Sequence, residues 1–251
     1  MPGILKPQEA APEAIGPALQ NGAQALEISP QQVAWYETFG FLVLRGVFSK
    51  DMARIREGFE EVFANEEAQL LDPENEFHRT RNPDYERETR WIIPSFIDRS
   101  PNLEWLRHDA RLDAIPRALL GDGYEYAESD GNLFNCDVLW HMDAFGATAD
   151  IAHVKVYFYL DALRRDAGSL RVIPGSHHRG GYMGALVRRL TDDPERVPEI
   201  LGVELDEIPS SALEVNPGDL IVTNFKTLHG SFNGGVRRRL FTVNFRSGAS
   251  A

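Results

Sequence analysis

From Asn132 onward the sequence breaks into short β-prone runs: Asn132 to Met142, Ala152 to Leu160, Ser169 to Ile173, Ala212 to Val215, Leu220 to Phe225 and Arg238 to Arg246. Turn formers punctuate them at Asp166-Ala-Gly168, Pro174-Gly175, Pro217-Gly218 and Gly234-Gly235. A chain that reverses this often, with runs this short, buries its apolar faces in a sandwich or a barrel. One stretch departs from the pattern. Between about residues 180 and 210, Met183, Leu186, Val187 and Leu190 recur at helical spacing, which predicts an inserted helix and loop. The 251 residues suit one domain over 28–251, with no internal repeat.

The N-terminal part is helical in character. Residues 1–27, rich in Ala, Pro, Gln and Gly, read as a mobile arm with neither a signal peptide's apolar core nor a transit peptide's arginines. Ser29 caps a helix whose first position is Pro30 and which Gly40 ends. Phe41 to Phe48 follows as a strand, and then Met52, Ile55, Phe59, Val62 and Phe63 form the apolar stripe of a second helix. Residues 72–90, with an isolated His78, read as a surface loop. Trp91 to Phe96 is a strand candidate broken by Pro94, and Leu103 to Leu120 reads as one or two helices around Pro116.

A net charge of −12 argues against nucleic acid or an anionic membrane as partner, since both are bound through basic surfaces, and leaves a small molecule as the expected ligand. No stretch reads as a membrane span. The single cysteine, Cys136, excludes an intrachain disulfide and fits a reducing, cytoplasmic location.

Within the strand-rich half, Leu139-Trp-His-Met-Asp-Ala-Phe145 concentrates the chemistry. Side chains alternate along a strand, so His141 and Asp143 point the same way. An imidazole beside a carboxylate supplies two ligands of the facial triad that holds non-haem Fe(II), and a third must come from elsewhere in the fold. His153, His177, His178 and His229 compete for that place; His229 is favoured, because the turn at Pro217-Gly218 feeds a buried strand that runs towards it.

The order of motifs then carries a resemblance. Trp140-His-Met-Asp143, Leu170-Arg-Val-Ile-Pro-Gly-Ser-His177, Asn216-Pro-Gly-Asp-Leu220, Leu228-His-Gly230 and Arg237-Arg-Arg-Leu-Phe-Thr-Val-Asn-Phe245 resemble successive blocks of the phytanoyl-CoA dioxygenase family. The run Val33 to Ser49 is similar to that family's entry helix and first strand. The resemblance implies a mainly β fold with flanking helices, a double-stranded β-helix or jelly-roll barrel, using Fe(II), 2-oxoglutarate and O2. It makes His141, Asp143 and His229 the metal ligands and the catalytic centre. It also implies that Pro174 to His177 is a structural turn, which sets His177 and His178 aside. The carboxylate at Asp143 disfavours halogenation, which in the family accompanies a small residue at that position.

The family also implies an arginine for the far carboxylate of 2-oxoglutarate, with Arg237, Arg238 and Arg239 in a row. Alternation puts Arg239, Phe241, Val243 and Phe245 on a greasy face and Arg238, Leu240, Thr242 and Asn244 on a mixed one, which selects Arg238. A guanidinium grips a carboxylate through two parallel hydrogen bonds. Thr242, Tyr157, Asn135 and Lys155 are further candidates for the cosubstrate pocket. Trp91, Phe145 and Tyr182 are candidates for an apolar substrate wall, and Arg90, Arg179 or Arg188 for an anionic group. Hydroxylation of a small molecule, possible in secondary metabolism, with release of succinate and CO2, is the expected reaction. Desaturation, cyclisation and epimerisation stay open, as do an inactive metal-binding jelly roll and a Zn hydrolase on the same ligands.

Overall fold

The computed structural model describes residues 26–65, 69–70, 90–135, 137–144, 150–178, 180–234 and 237–248. Leu26 already packs against the core, ahead of the first helix. His78, Cys136, Phe145, Arg179 and nearly all of the 72–90 loop lie outside the described residues.

In chain order the elements are α1 (Pro30–Phe39), β1 (Phe41–Leu44), α2 (Met52–Asn65), β2 (Gln69–Leu70), β3 (Arg90–Pro94), α3 (Pro101–Glu104), α4 (Ala110–Leu120), β4 (Tyr124–Phe134), β5 (Val138–His141), β6 (His153–Tyr159), β7 (Leu170–Val172), α5 (Gly181–Asp192), α6 (Val197–Leu201), β8 (Ser211–Leu213), β9 (Leu220–Asn224), β10 (His229–Ser231) and β11 (Arg238–Ser247). Seven strands form one antiparallel sheet in the order β1-β9-β6-β11-β4-β3-β2, and four form a second in the order β5-β10-β7-β8. These two sheets are the jelly roll. β2, β3, β4 and the pair β7-β8 follow one another in sequence order, while the remaining neighbours are non-consecutive, so from β4 onward the chain passes repeatedly between the two sheets.

Three apolar layers follow from strand alternation. Phe134, Tyr157, Leu240 and Ile221 of the large sheet meet Val138, Val172 and Leu213 of the small one, making the core between the sheets. The opposite face of the large sheet, with Phe241, Val243 and Phe245, packs on α2 and α4 through Ile55, Phe59, Leu112 and Ile115. The outer face of the small sheet is covered by the insertion, whose Val187, Leu190, Val197 and Leu205 pack on Leu139, Trp140 and Phe232. Trp140 Nε1 also donates to Leu205 O at 2.8 Å, which ties the insertion to the strand that carries His141.

Several boundaries differ from the sequence reading. β1 stops at Leu44, because Asp219 captures the next turn: it accepts from Arg45 Nη1 at 2.9 Å and from Gly46 N at 2.7 Å. The helical break in the 103–120 stretch falls at Asp109, whose carboxylate caps the Arg111 amide, while Pro116 lies inside α4. The run from Asn132 to Met142 is two strands in different sheets, and β4 begins earlier, at Tyr124. The residues 124–131 are polar because much of that segment keeps some exposure, which hid it from a search for apolar runs.

Candidate metal centre

His141 ends β5 and His229 opens β10, and the register of the small sheet sets them directly opposite each other. Antiparallel pairing thus brings together two residues far apart in sequence, with ring centroids 4.2 Å apart. Asp143 lies just past the end of β5, where its own amide and that of Ala144 both donate to Phe225 O, at 2.9 and 3.2 Å. One ligand atom each from His141, Asp143 and His229 lies within 4.8 Å of the others, an arrangement that could hold a metal ion.

The backbone fixes the imidazole tautomers. Nδ1 of His141 is 2.8 Å from Leu139 O and Nδ1 of His229 is 2.9 Å from Thr227 O. A carbonyl only accepts, so each Nδ1 carries the proton and each Nε2 presents its lone pair, the usual means of orienting a ligand histidine. Thr227 is itself positioned by α1: its hydroxyl donates to Gly40 O at 2.9 Å, and Asn224 N donates to the same carbonyl at 2.9 Å. Gly40 adopts φ +83°, and a Cβ there would collide with Thr227 and His177. The C-terminal end of the first helix therefore holds the turn that delivers His229.

Electrostatics suit a cation. Burial lowers the pKa of His141 to about 3, the neighbouring His229 adding to it, and burial lowers His229 as well, so both rings are neutral near pH 7. Burial alone would raise Asp143, but the Lys155 ammonium and the two imidazoles hold it below the ordinary carboxylate range. Lys155 Nζ sits 3.0 Å from Asp143 Oδ1. Oδ2 is buried with no hydrogen-bond partner and is 3.5 Å from His229 Nε2. A buried carboxylate oxygen left bare beside two imidazole lone pairs is costly without a cation, so the residues present fit a divalent ion.

Around the triad, Tyr157 Oη lies 3.4 Å from His229 Nε2 and accepts from Thr223 Oγ1 at 3.3 Å. Arg238 is 6% exposed on the inner face of β11, where Nη1 donates to Gly168 O at 3.0 Å and to Ser231 Oγ, two residues past His229. Gly168 and Gly234 form its cradle, since a Cβ at either would meet the Arg238 side chain. Arg239 points to the opposite face and pairs with Asp161 and Glu60. Arg237 stands at the exposed turn with φ 57°. Alternation along β11 thus sends only the middle arginine between the sheets.

Other candidates lie elsewhere. Asn135 falls between β4 and β5, and its Oδ1 accepts from Arg237 N at 2.6 Å. It lines a surface cavity of about 550 Å³ with Trp91, Glu60 and Phe63. The register partner of Trp91 is Leu133 of the helix-side core, and Glu60, Phe63 and Ala64 of α2 share its cavity. Thr242 is on the inner face, but its hydroxyl donates to Asp130 Oδ2 at 2.5 Å. Arg90 opens β3 and Tyr182 lies in α5, and their side chains are outside the described residues, as is Phe145. Arg188 is exposed on α5. His177 and His178 both reach Glu37 O at 3.0 Å, at the end of α1, and His153 stacks on Phe225 with centroids 4.6 Å apart. Sequence reasoning missed the Gly168–Ser231 seat of Arg238 and the grip of Phe225 O on Asp143, which only strand pairing reveals.

The family model for phytanoyl-CoA dioxygenase (PhyH) matches residues 36–239, from α1 to the start of β11. The chain belongs to the phytanoyl-CoA dioxygenase family. Among solved structures, this PhyH chain is similar to the non-haem alpha-ketoglutarate-dependent carbocyclase SnoK of nogalamycin biosynthesis, at 18% identity and TM-score 0.66 over 87% of this chain and 84% of that one. It is similar to EctD from S. alaskensis in its apo form at 22% identity and TM-score 0.63, covering 88% and 77%. It is also similar to HygX from Streptomyces hygroscopicus, crystallised with nickel and 2-oxoglutarate, at 19% identity and TM-score 0.62, covering 86% of each chain. At such identities the likeness concerns the fold. No curated protein matches the chain by sequence.

Proposed function

We propose that the protein is an Fe(II)- and 2-oxoglutarate-dependent dioxygenase that hydroxylates a C–H bond of a small molecule. The observation that carries this reading is the convergence of His141, Asp143 and His229, with a bare Oδ2, on the same interior that holds the buried Arg238. Membership of the PhyH family supports it, and HygX, a neighbour of the same fold, binds nickel and 2-oxoglutarate.

Fe(II) held by the triad, with 2-oxoglutarate and O2, supplies oxidative decarboxylation to succinate and CO2 coupled to oxidation of the substrate. The chain's own part is placement. The imidazoles of His141 and His229, kept neutral by burial, offer lone pairs without first losing a proton. Lys155 Nζ lies at Oδ1 of Asp143 and Oδ2 is bare, so with His141 and His229 that carboxylate would hold the ion. Arg238 binds the far carboxylate of 2-oxoglutarate, its guanidinium fixed by Gly168 O and Ser231. Tyr157 closes the side of His229 with an apolar ring and a hydroxyl.

Succinate release from 2-oxoglutarate in the presence of Fe(II) and a reductant tests the reading. Turnover above a metal-free control, lost in Asp143→Ala, is expected; no succinate under any metal-loaded condition would refute it. Product analysis then separates hydroxylation from the cyclisation and epimerisation for which SnoK and SnoN are named.

A further inference from the structure

We infer that the substrate of this centre carries a positively charged nitrogen, an ammonium or a guanidinium, and that Asp130 receives it, with Glu128 and Asn244 beside it. The inference rests on the proposed oxygenase reading and adds the substrate's class.

β11 lies between β4 and β6, and its inner-facing residues form rows across the three strands. Thr242 sits opposite Asp130 on one side and Tyr157 on the other, and Asn244 sits opposite Glu128 and Lys155. Tyr157 touches His229 and Lys155 touches Asp143, so the acidic residues lie two strands across from the groups that contact the triad.

The partners of these acids are neutral. Asp130 accepts from Thr242 Oγ1 at 2.5 Å and from Asn132 Nδ2, and Glu128 accepts from Asn244 Nδ2 at 3.4 Å. Among the described residues, no arginine or lysine pairs with either. By contrast, Asp219 pairs with Arg45, Asp161 with Arg239 and Asp143 with Lys155. Asp130 is half-buried and Glu128 exposed, and a half-buried carboxylate gains from a cation that answers it.

Asn244 supplies the second, independent observation. It is 1% exposed, its Nδ2 is committed to Glu128, and its Oδ1 is buried with no hydrogen-bond partner. An acceptor stranded in the interior calls for a donor from outside the chain. The interior is therefore divided by charge. The Arg238 end offers donors to the dicarboxylate cosubstrate, while the Asp130–Asn244 side adds two carboxylates and a bare amide oxygen, the Lys155 ammonium in the same row being taken up by Asp143. A ligand that satisfies the latter must bring N–H groups and positive charge. Anionic molecules are repelled there, and a hydroxyl can donate to Asp130 as Thr242 does but brings no charge to it.

Anaerobic isothermal titration of the Fe(II)- and 2-oxoglutarate-loaded protein with 1,4-diaminobutane, and separately with 1,4-butanediol, tests this. A charge-assisted hydrogen bond separates the two probes, so the diamine is expected to bind about 10- to 100-fold tighter. That preference should collapse in Asp130→Asn and shrink in Glu128→Gln, a more exposed position that leaves the β4 pairing intact. Undetectable or equal binding of the diamine overturns the inference, as does a preference unchanged in both variants. The visible charge-transfer band of the Fe(II)–2-oxoglutarate complex, recorded before either probe is added, reports separately on the metal centre. Should that band be missing, the oxygenase reading fails, and the same probe comparison on the metal-free protein decides the charge preference.

Discussion

Replacing Lys155 by methionine should weaken the metal-free protein and tighten its hold on a divalent metal. The side chains of Lys155 and Asp143 are only 13% and 15% exposed and meet at 3.0 Å. Removing one partner of a buried ion pair costs about 3–5 kcal/mol, because the other charge is left uncompensated; the residual exposure here reduces that to about 2–3 kcal/mol. For a chain of this length each kcal/mol moves the melting temperature by about 2–4 °C, so metal-free Lys155→Met should melt about 4–12 °C lower. With metal bound, the ion itself answers Asp143 and the loss should largely vanish. By linkage, what the metal-free state loses and the metal-bound state does not appears as affinity, about 30- to 150-fold tighter binding. Thermal denaturation with and without Mn(II), with calorimetric titration of Mn(II), measures both. An equal fall in both states, or weaker metal binding, would refute the reasoning and make Lys155 an organiser of Asp143 instead of its substitute cation.

Further expectations concern the surroundings of the triad. Arg238→Lys should weaken 2-oxoglutarate binding to the metal-loaded protein about 10- to 100-fold, from loss of a charged, forked contact, with metal affinity little changed; loss of 2-oxoglutarate binding in Arg239→Lys instead would show that the strand register has been misassigned. Acidification should destabilise the metal-free protein. The folded pKa values of His141 and His229 lie below the ordinary 6.5, His141 at about 3, so the unfolded chain takes up protons first. Stability is therefore full above about pH 6.5 and falls between there and about pH 3, and a urea midpoint flat from pH 7.5 to 4.5 would contradict the assignment. Gly40→Ala forces a side chain into a left-handed backbone position and against Thr227, so it should cost at least about 1 kcal/mol and weaken metal binding by loosening the turn before His229. Unchanged metal affinity in that variant would uncouple α1 from the site.

Much of this arrangement was legible in the sequence, and the failures have a common cause. Alternation within one strand read correctly along β11, because Arg238, Leu240, Thr242 and Asn244 stay in one register between β4 and β6. It does not extend past Asn135, where the chain leaves one sheet for the other and periodicity is not carried across. Lys155 was named for the cosubstrate pocket, yet its partner is Asp143, which is set by packing against the Phe225 turn that no local pattern encodes. Asp130 went unnoticed because β4 looked like a polar connection. Residues that act along one strand are visible in order; those that act across strands need the register.

Anaerobic titration of the protein with Fe(II) and then 2-oxoglutarate tests the metal centre most directly. One Fe(II) and one 2-oxoglutarate per chain, with a visible charge-transfer band lost in His229→Ala, are predicted from the convergence of His141, Asp143 and His229. Tight Fe(II) binding that survives His229→Ala, or 2-oxoglutarate that binds equally well without metal and gives no band, would contradict it.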